Sequence, residues 1–155
     1  MPTPPLLLPE RWRHYRPPPP TDATSNRIRA LGNDRLKVLA VDDEADALAF
    51  LEALFVDEGF EFIRASTGAQ ALAMIRTLRA DVVIVDYRMP AMNGLEFCEL
   101  LRSDHELREI PIIIYTAYNV PPHSNCGLYD LVFVKPVDPQ ALLRGVCSLL
   151  PTRSS

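Results

Sequence analysis

Val82-Val83-Ile84-Val85-Asp86-Tyr87-Arg88-Met89-Pro90-Ala91-Met92-Asn93-Gly94 is the stretch on which the fold turns. Four consecutive branched aliphatics without alternation mark a strand buried on both faces, as in a parallel sheet covered by helices. An acid follows at once. A proline-containing loop leads to Gly94, where a helical pattern begins with Leu95, Cys98 and Leu101 on its inner side.

The same alternation extends in both directions. Upstream, Lys37–Val41 is a short apolar strand that runs into Asp42-Asp43-Glu44. Ala47, Phe50, Leu51, Leu54 and Phe55 then recur at helical spacing, and Gly59 stops that helix. Phe60–Arg64 reads as a second strand, and a helix from Gly68 to Arg79 carries Ala71, Leu72, Ile75 and Leu78 on one face. Downstream, Ile112-Ile113-Ile114-Tyr115 is the fourth strand and Leu131–Val134 the fifth. Asp138 is placed to cap a last helix bearing Leu142, Val146, Leu149 and Leu150. This α/β pattern predicts a doubly wound, five-stranded parallel sheet of order 2-1-3-4-5, flavodoxin-like, with helices on both faces.

The 155 residues carry 16 basic and 20 acidic side chains, a net charge of −4, and 48% are apolar. That balance argues against direct nucleic-acid binding and against an anionic membrane surface. No apolar run reaches the roughly 18–20 residues of a membrane span. Three widely spaced cysteines without C-x-x-C, Cys98, Cys126 and Cys147, suggest neither disulfides nor zinc. A cytoplasmic protein with reduced thiols is expected. Eight of the 15 prolines fall in residues 1–20, so residues 1–35 are expected to be a disordered Pro/Arg-rich leader. Residues 36–150 form the folded domain in this reading, and 151–155 a short tail. Trp12, the single tryptophan, lies in the leader.

In a doubly wound sheet the ligand site lies beyond the C-terminal strand ends, at the switch point. Asp42 and Asp43 follow strand one, Asp86 follows strand three, Thr116 and Ala117 close strand four, and Lys135-Pro136 follows strand five. Each alone has a plain explanation: Asp42 or Asp43 as a helix cap, Thr116 as a turn residue, Lys135 as a surface charge. Together they are a chemical set. Converging carboxylates repel, and Mg²⁺, which prefers oxygen ligands, removes the conflict. A hydroxyl and an ammonium suit the oxygens of a phosphoryl group in transfer, and an ionised aspartate can be the nucleophile. The set fits Mg²⁺-assisted phosphoryl transfer onto Asp86.

These residues resemble the receiver domain of bacterial two-component response regulators, over roughly residues 36–150. Asp86 to Gly94 matches that family's D-x-x-M-P-x-M-x-G without a gap. Val41-Asp42-Asp43-Glu44, Thr116-Ala117 and Lys135-Pro136 look like its other signatures. The resemblance implies that Asp86 accepts phosphate from a sensor histidine kinase or a histidine phosphotransfer protein. It implies Mg²⁺ held by Asp43, Asp86 and the Arg88 backbone carbonyl, with Asp42 acting largely through water. It implies a phosphoryl group contacted by Thr116, Ala117 and Lys135, and a cis Lys135–Pro136 bond. The expected role is a phosphorylation-dependent switch or relay for a downstream protein, without turnover of a conventional substrate.

Several features depart from the family pattern. Val132 stands three residues before Lys135, where an aromatic is common. Phe133 beside it reads as core. The segment Tyr118–Asp130 contains Pro121-Pro122 and lacks a long helical pattern, so the helix between strands four and five is expected to be short or irregular. The first and last helices become the expected partner surfaces. Arg88 and Tyr118, each two residues beyond a site residue, are bulky enough to obstruct water, which predicts slow self-dephosphorylation. About five residues follow the last helix, so a stand-alone receiver is expected. The competing readings are a phosphorylation-independent adaptor on the same fold and an aspartate-based phosphohydrolase. The latter uses D-x-D after strand one and a cap domain, whereas the acids here are adjacent.

Overall fold

The computed structural model describes residues 35–117 and 127–150. The leader, the tail, Tyr118, Cys126 and the helix expected between strands four and five lie outside the described residues. Five strands form one sheet: β1 (Lys37–Val41), β2 (Glu61–Ala65), β3 (Val82–Val85), β4 (Ile112–Thr116) and β5 (Leu131–Val134). Their order is β2-β1-β3-β4-β5, all parallel, as the sequence predicts. Four helices are described: α1 (Ala45–Asp57), α2 (Gly68–Leu78), α3 (Gly94–Ser103) and α4 (Pro139–Leu149).

Side chains alternate across the strands, so each strand feeds two cores. Leu39, Val83, Ile112 and Val132 pack with Ala71 and Ile75 of α2 and Phe97, Cys98 and Leu101 of α3. Val38, Ile84, Ile113 and Phe133 pack with Leu48, Leu51 and Phe55 of α1 and Leu142 and Val146 of α4. All four residues of β3 are buried, as expected for the central strand of a two-sided sheet. Val132 and Phe133 are both core residues. Gly145 brings α4 close to β5, because a Cβ there would lie 2.7 Å from the Phe133 ring.

Capping follows the local chemistry. Thr67 accepts from the Gln70 N–H, Asn93 from Glu96, and Asp138 from Gln140. The structure corrects the phase of α1. Phe50, expected on the inner face, is 42% exposed, and Leu48 is buried instead. At about 100° per residue, Phe50 lies roughly 130° from the centre of the Leu48–Leu51–Phe55 face. Phe97, which the α3 pattern omitted, is fully buried. No described helix is long and apolar enough to cross a membrane.

Candidate phosphoryl-acceptor site

The strand ladders continue one residue past the C-terminal strand ends, and this assembles the site. The Asp86 N–H donates to the Val41 carbonyl (3.0 Å) and the Asp42 N–H to the Ala65 carbonyl (3.1 Å). Asp42 and Asp86 therefore leave adjacent strands side by side. The Lys135 N–H donates to the Thr116 carbonyl (2.8 Å), which pins the residues after β4 and β5 in the same way. The Lys135–Pro136 bond is cis.

Three carboxylates converge. Oxygens of Asp42, Asp43 and Asp86 lie within 4.8 Å of one another. Asp42 and Asp86 are buried, while Asp43 is exposed. Asp42 does not cap α1: its Oδ1 accepts from the Glu44 N–H (2.9 Å), and the α1 N-cap, Glu44, makes no side-chain cap bond. Asp42 Oδ2 accepts from Lys135 Nζ at 3.0 Å. Asp86 Oδ1 is buried and lacks a hydrogen-bond partner. Among buried polar groups that is uncommon, and it points to an absent electropositive ligand. A divalent cation fits, since it would satisfy the orphan oxygen and offset the mutual repulsion of the carboxylates. Arg88, whose carbonyl the family resemblance implies as a further ligand, is exposed on the loop that follows β3.

Burial pushes the Asp86 pKa above its ordinary value. The Thr116 hydroxyl opposes this by donating to the carboxylate, the Asp42 charge adds to it, and Lys135 and the Tyr87 N–H oppose it. For Lys135, burial disfavours the ammonium. The bond and charge of Asp42, with Asp86 and Tyr115, outweigh burial, so its pKa is raised. The ammonium also sits 4.9 Å from the centroid of the Tyr115 ring. Ala117 is exposed just beyond Thr116.

The loop after β3 is tightly built. The Gly94 N–H donates to the Tyr87 carbonyl (2.7 Å) and the Met92 N–H to the Pro90 carbonyl (2.8 Å). Ala91 adopts a left-handed conformation (φ 68°). Met92 lies over the start of α2, where a Cβ on Gly68 would approach its sulfur to 2.6 Å.

All the candidate residues, Asp42, Asp43, Asp86, Arg88, Thr116, Ala117 and Lys135, thus lie at one edge of the sheet. Sequence reasoning missed Tyr115. Strand alternation turns it to the opposite face from Thr116, and only the path of the Lys135 side chain brings it into the site.

Residues 38–146 match the model of the response regulator receiver domain family. The chain is 35% identical over 117 residues to the CAI-1 autoinducer sensor kinase/phosphatase CqsS of Vibrio cholerae, covering 72% of this chain and 17% of that protein. It is 35% identical over 115 residues to the DNA-binding response regulator MtrA of Mycolicibacterium paratuberculosis, covering 72% of this chain and 50% of that one. The chain therefore spans half or less of these relatives. Among solved structures, the Vibrio cholerae chemotaxis protein CheY4 superposes with a TM-score of 0.71 at 32% identity, covering 76% of this chain and 100% of that one. The receiver domain of a signal transduction histidine kinase from Syntrophus aciditrophicus gives 0.69 at 26% identity, covering 77% and 94%.

Proposed function

The chain belongs to the response regulator receiver domain family, and from that premise we propose that it takes a phosphoryl group on Asp86 from a phosphohistidine. The observation that carries this reading is the unpartnered, buried Asp86 Oδ1 beside the Asp42 and Asp43 carboxylates. In the transfer, an Asp86 carboxylate oxygen forms a bond to phosphorus as the phosphorus–nitrogen bond of the donor histidine breaks. The imidazole leaves with that electron pair, and Asp86 becomes an acyl phosphate.

Asp42, Asp43, Asp86 and the Arg88 carbonyl would hold Mg²⁺, which supplies charge neutralisation for the incoming phosphoryl oxygens. The Thr116 hydroxyl, which donates to Asp86 in the unphosphorylated protein, can turn to a phosphoryl oxygen instead. Lys135 offers its ammonium from the other side. Both act electrostatically on charge that develops in flight.

The partner is a sensor histidine kinase or histidine phosphotransfer protein, and phosphorylation shifts a conformational equilibrium that a downstream protein reads. We place the docking surface on α1, which exposes Phe50 and Val56, 42% and 51%, at positions about 120° apart around the helix. The test is intact mass after incubation with Mg²⁺ and a small acyl-phosphate donor. One phosphoryl adduct is expected, absent in Asp86→Ala and absent with EDTA. Failure to form both this adduct and a beryllofluoride complex would favour a phosphorylation-independent adaptor.

A further inference from the structure

We propose that Tyr115 is a positioning residue for this transfer: the face of its ring holds the Lys135 ammonium at the site, independently of Asp42. The inference rests on the reading of Asp86 as phosphoacceptor.

Lys135 reaches the site on a four-carbon stem that costs considerable rotamer entropy to hold still. Besides the attraction of the Asp86 charge, two groups approach its ammonium closely. Asp42 Oδ2 accepts from it at 3.0 Å, and the Tyr115 centroid lies 4.9 Å away. A cation within about 6 Å of an aromatic centroid is attracted by the ring quadrupole, more strongly where water is partly excluded. That condition holds here, with Tyr115 7% exposed and the Lys135 side chain 19% exposed.

The two restraints differ in kind. Asp42 belongs to the acidic cluster, and one of its oxygens is already taken by the Glu44 N–H. A cation drawn to that cluster shares this carboxylate with Lys135, and the repulsion between the two positive charges weakens the hold of Asp42 on the ammonium. The Tyr115 ring offers a cation in the cluster no carboxylate oxygen, so its hold on the ammonium persists when Asp42 is engaged elsewhere. The ring is also rigid. Tyr115 pairs in register with Phe133 and packs in the core beneath α1 and α4. Its place is fixed by the fold rather than by the site.

A purely structural Tyr115 would serve equally well with any ring of the same size, so the decisive test changes the ring's charge distribution and not its shape. Full-length protein carrying Tyr115→Phe, Tyr115→Leu or pentafluorophenylalanine at position 115 is compared with wild type. The readouts are phosphorylation rate with limiting acyl-phosphate donor, beryllofluoride affinity, and Mg²⁺ affinity alone by calorimetry. Tyr115→Phe is expected within about twofold of wild type. The leucine and pentafluoro variants are expected to lose roughly three- to tenfold in rate and in beryllofluoride affinity. Mg²⁺ affinity should stay within about twofold in all of them.

Should Tyr115→Leu fail to fold, the near-isosteric pentafluoro ring still decides. A pentafluoro variant that reacts at the wild-type rate overturns the proposal. So does a parallel loss of Mg²⁺ affinity, which would mean general distortion. Wild type that forms neither the acyl phosphate nor the beryllofluoride complex removes the underlying reading and the proposal with it. Normal wild type beside an unaltered pentafluoro variant removes the role of Tyr115 alone.

Discussion

Gly94 and Asp86 are packed backbone to backbone: a Cβ built on Gly94 would lie 2.5 Å from the Asp86 carbonyl oxygen and 3.0 Å from the Tyr87 Cα. The close approach exists because the Gly94 N–H turns back to donate to Tyr87 at 2.7 Å. The start of α3 is thereby anchored to the backbone that carries the Asp86 carboxylate.

Gly94→Ala must displace backbone, since no flexible side chain is in the way. A loss of about 1–3 kcal/mol in stability is expected. A shift of the Asp86 loop should also slow phosphorylation by roughly tenfold or more. Thermal unfolding and intact-mass kinetics measure the two effects separately.

Asp86 has its folded pKa raised above the ordinary value of 3.8, mainly by burial. For a raised pKa, the stability contribution is complete below the unfolded pKa and is lost as pH rises through the folded one. In EDTA, Asp86→Asn should therefore match wild type near pH 3.5 and melt a few degrees higher at pH 7. Adding Mg²⁺ at pH 7 should narrow that gap. Melting curves across pH, with and without the metal, test the sign.

Arg102 ties α3 to both loops at the opposite end of the sheet. It donates to the carbonyls of Arg108 and Ile110 (both 2.7 Å) and of Gly127 and Leu128 (3.3 and 3.1 Å), and it pairs with Asp130 at 3.1 Å. Arg102→Met takes this donor from all five acceptors in a half-buried setting. A loss of about 2 kcal/mol or more is expected, read as a lower denaturant midpoint. The phosphorylation rate per folded molecule should be unchanged, because the site lies at the other sheet edge.

Arg88 is exposed two residues beyond Asp86, and Tyr118 follows Thr116 by two in sequence. If these side chains shield the acyl phosphate from water, Arg88→Asn with Tyr118→Ala should lose its phosphoryl group several-fold faster than wild type. The decay of the mass adduct after donor removal measures this. Unchanged decay would refute shielding.

The fold and most of the site were legible because the relevant signals are local. Four unbroken aliphatics in β3 announce burial on both faces. Each of Asp42, Asp86, Thr116 and Lys135 stands directly at the end of an apolar run, so strand order alone brings them together. The features that were not legible depend on geometry between elements. The phase of α1 hinges on a rotation that buries Leu48 and frees Phe50, in a helix whose apolar residues run nearly all round it. The Asp42–Lys135 pair spans 93 positions in sequence. Tyr115 lay on the wrong strand face to be suspected, and the tight Gly94–Asp86 approach reflects how the loop closes.

The most direct test of the central claim is to locate the acyl phosphate. Protein treated with Mg²⁺ and an acyl-phosphate donor is reduced with borohydride, which converts an aspartyl phosphate to homoserine, and the peptides are read by mass. The account predicts homoserine at position 86 and at no other aspartate. Homoserine at position 42 or 43, or a phosphoryl adduct that leaves Asp86 intact, would contradict it.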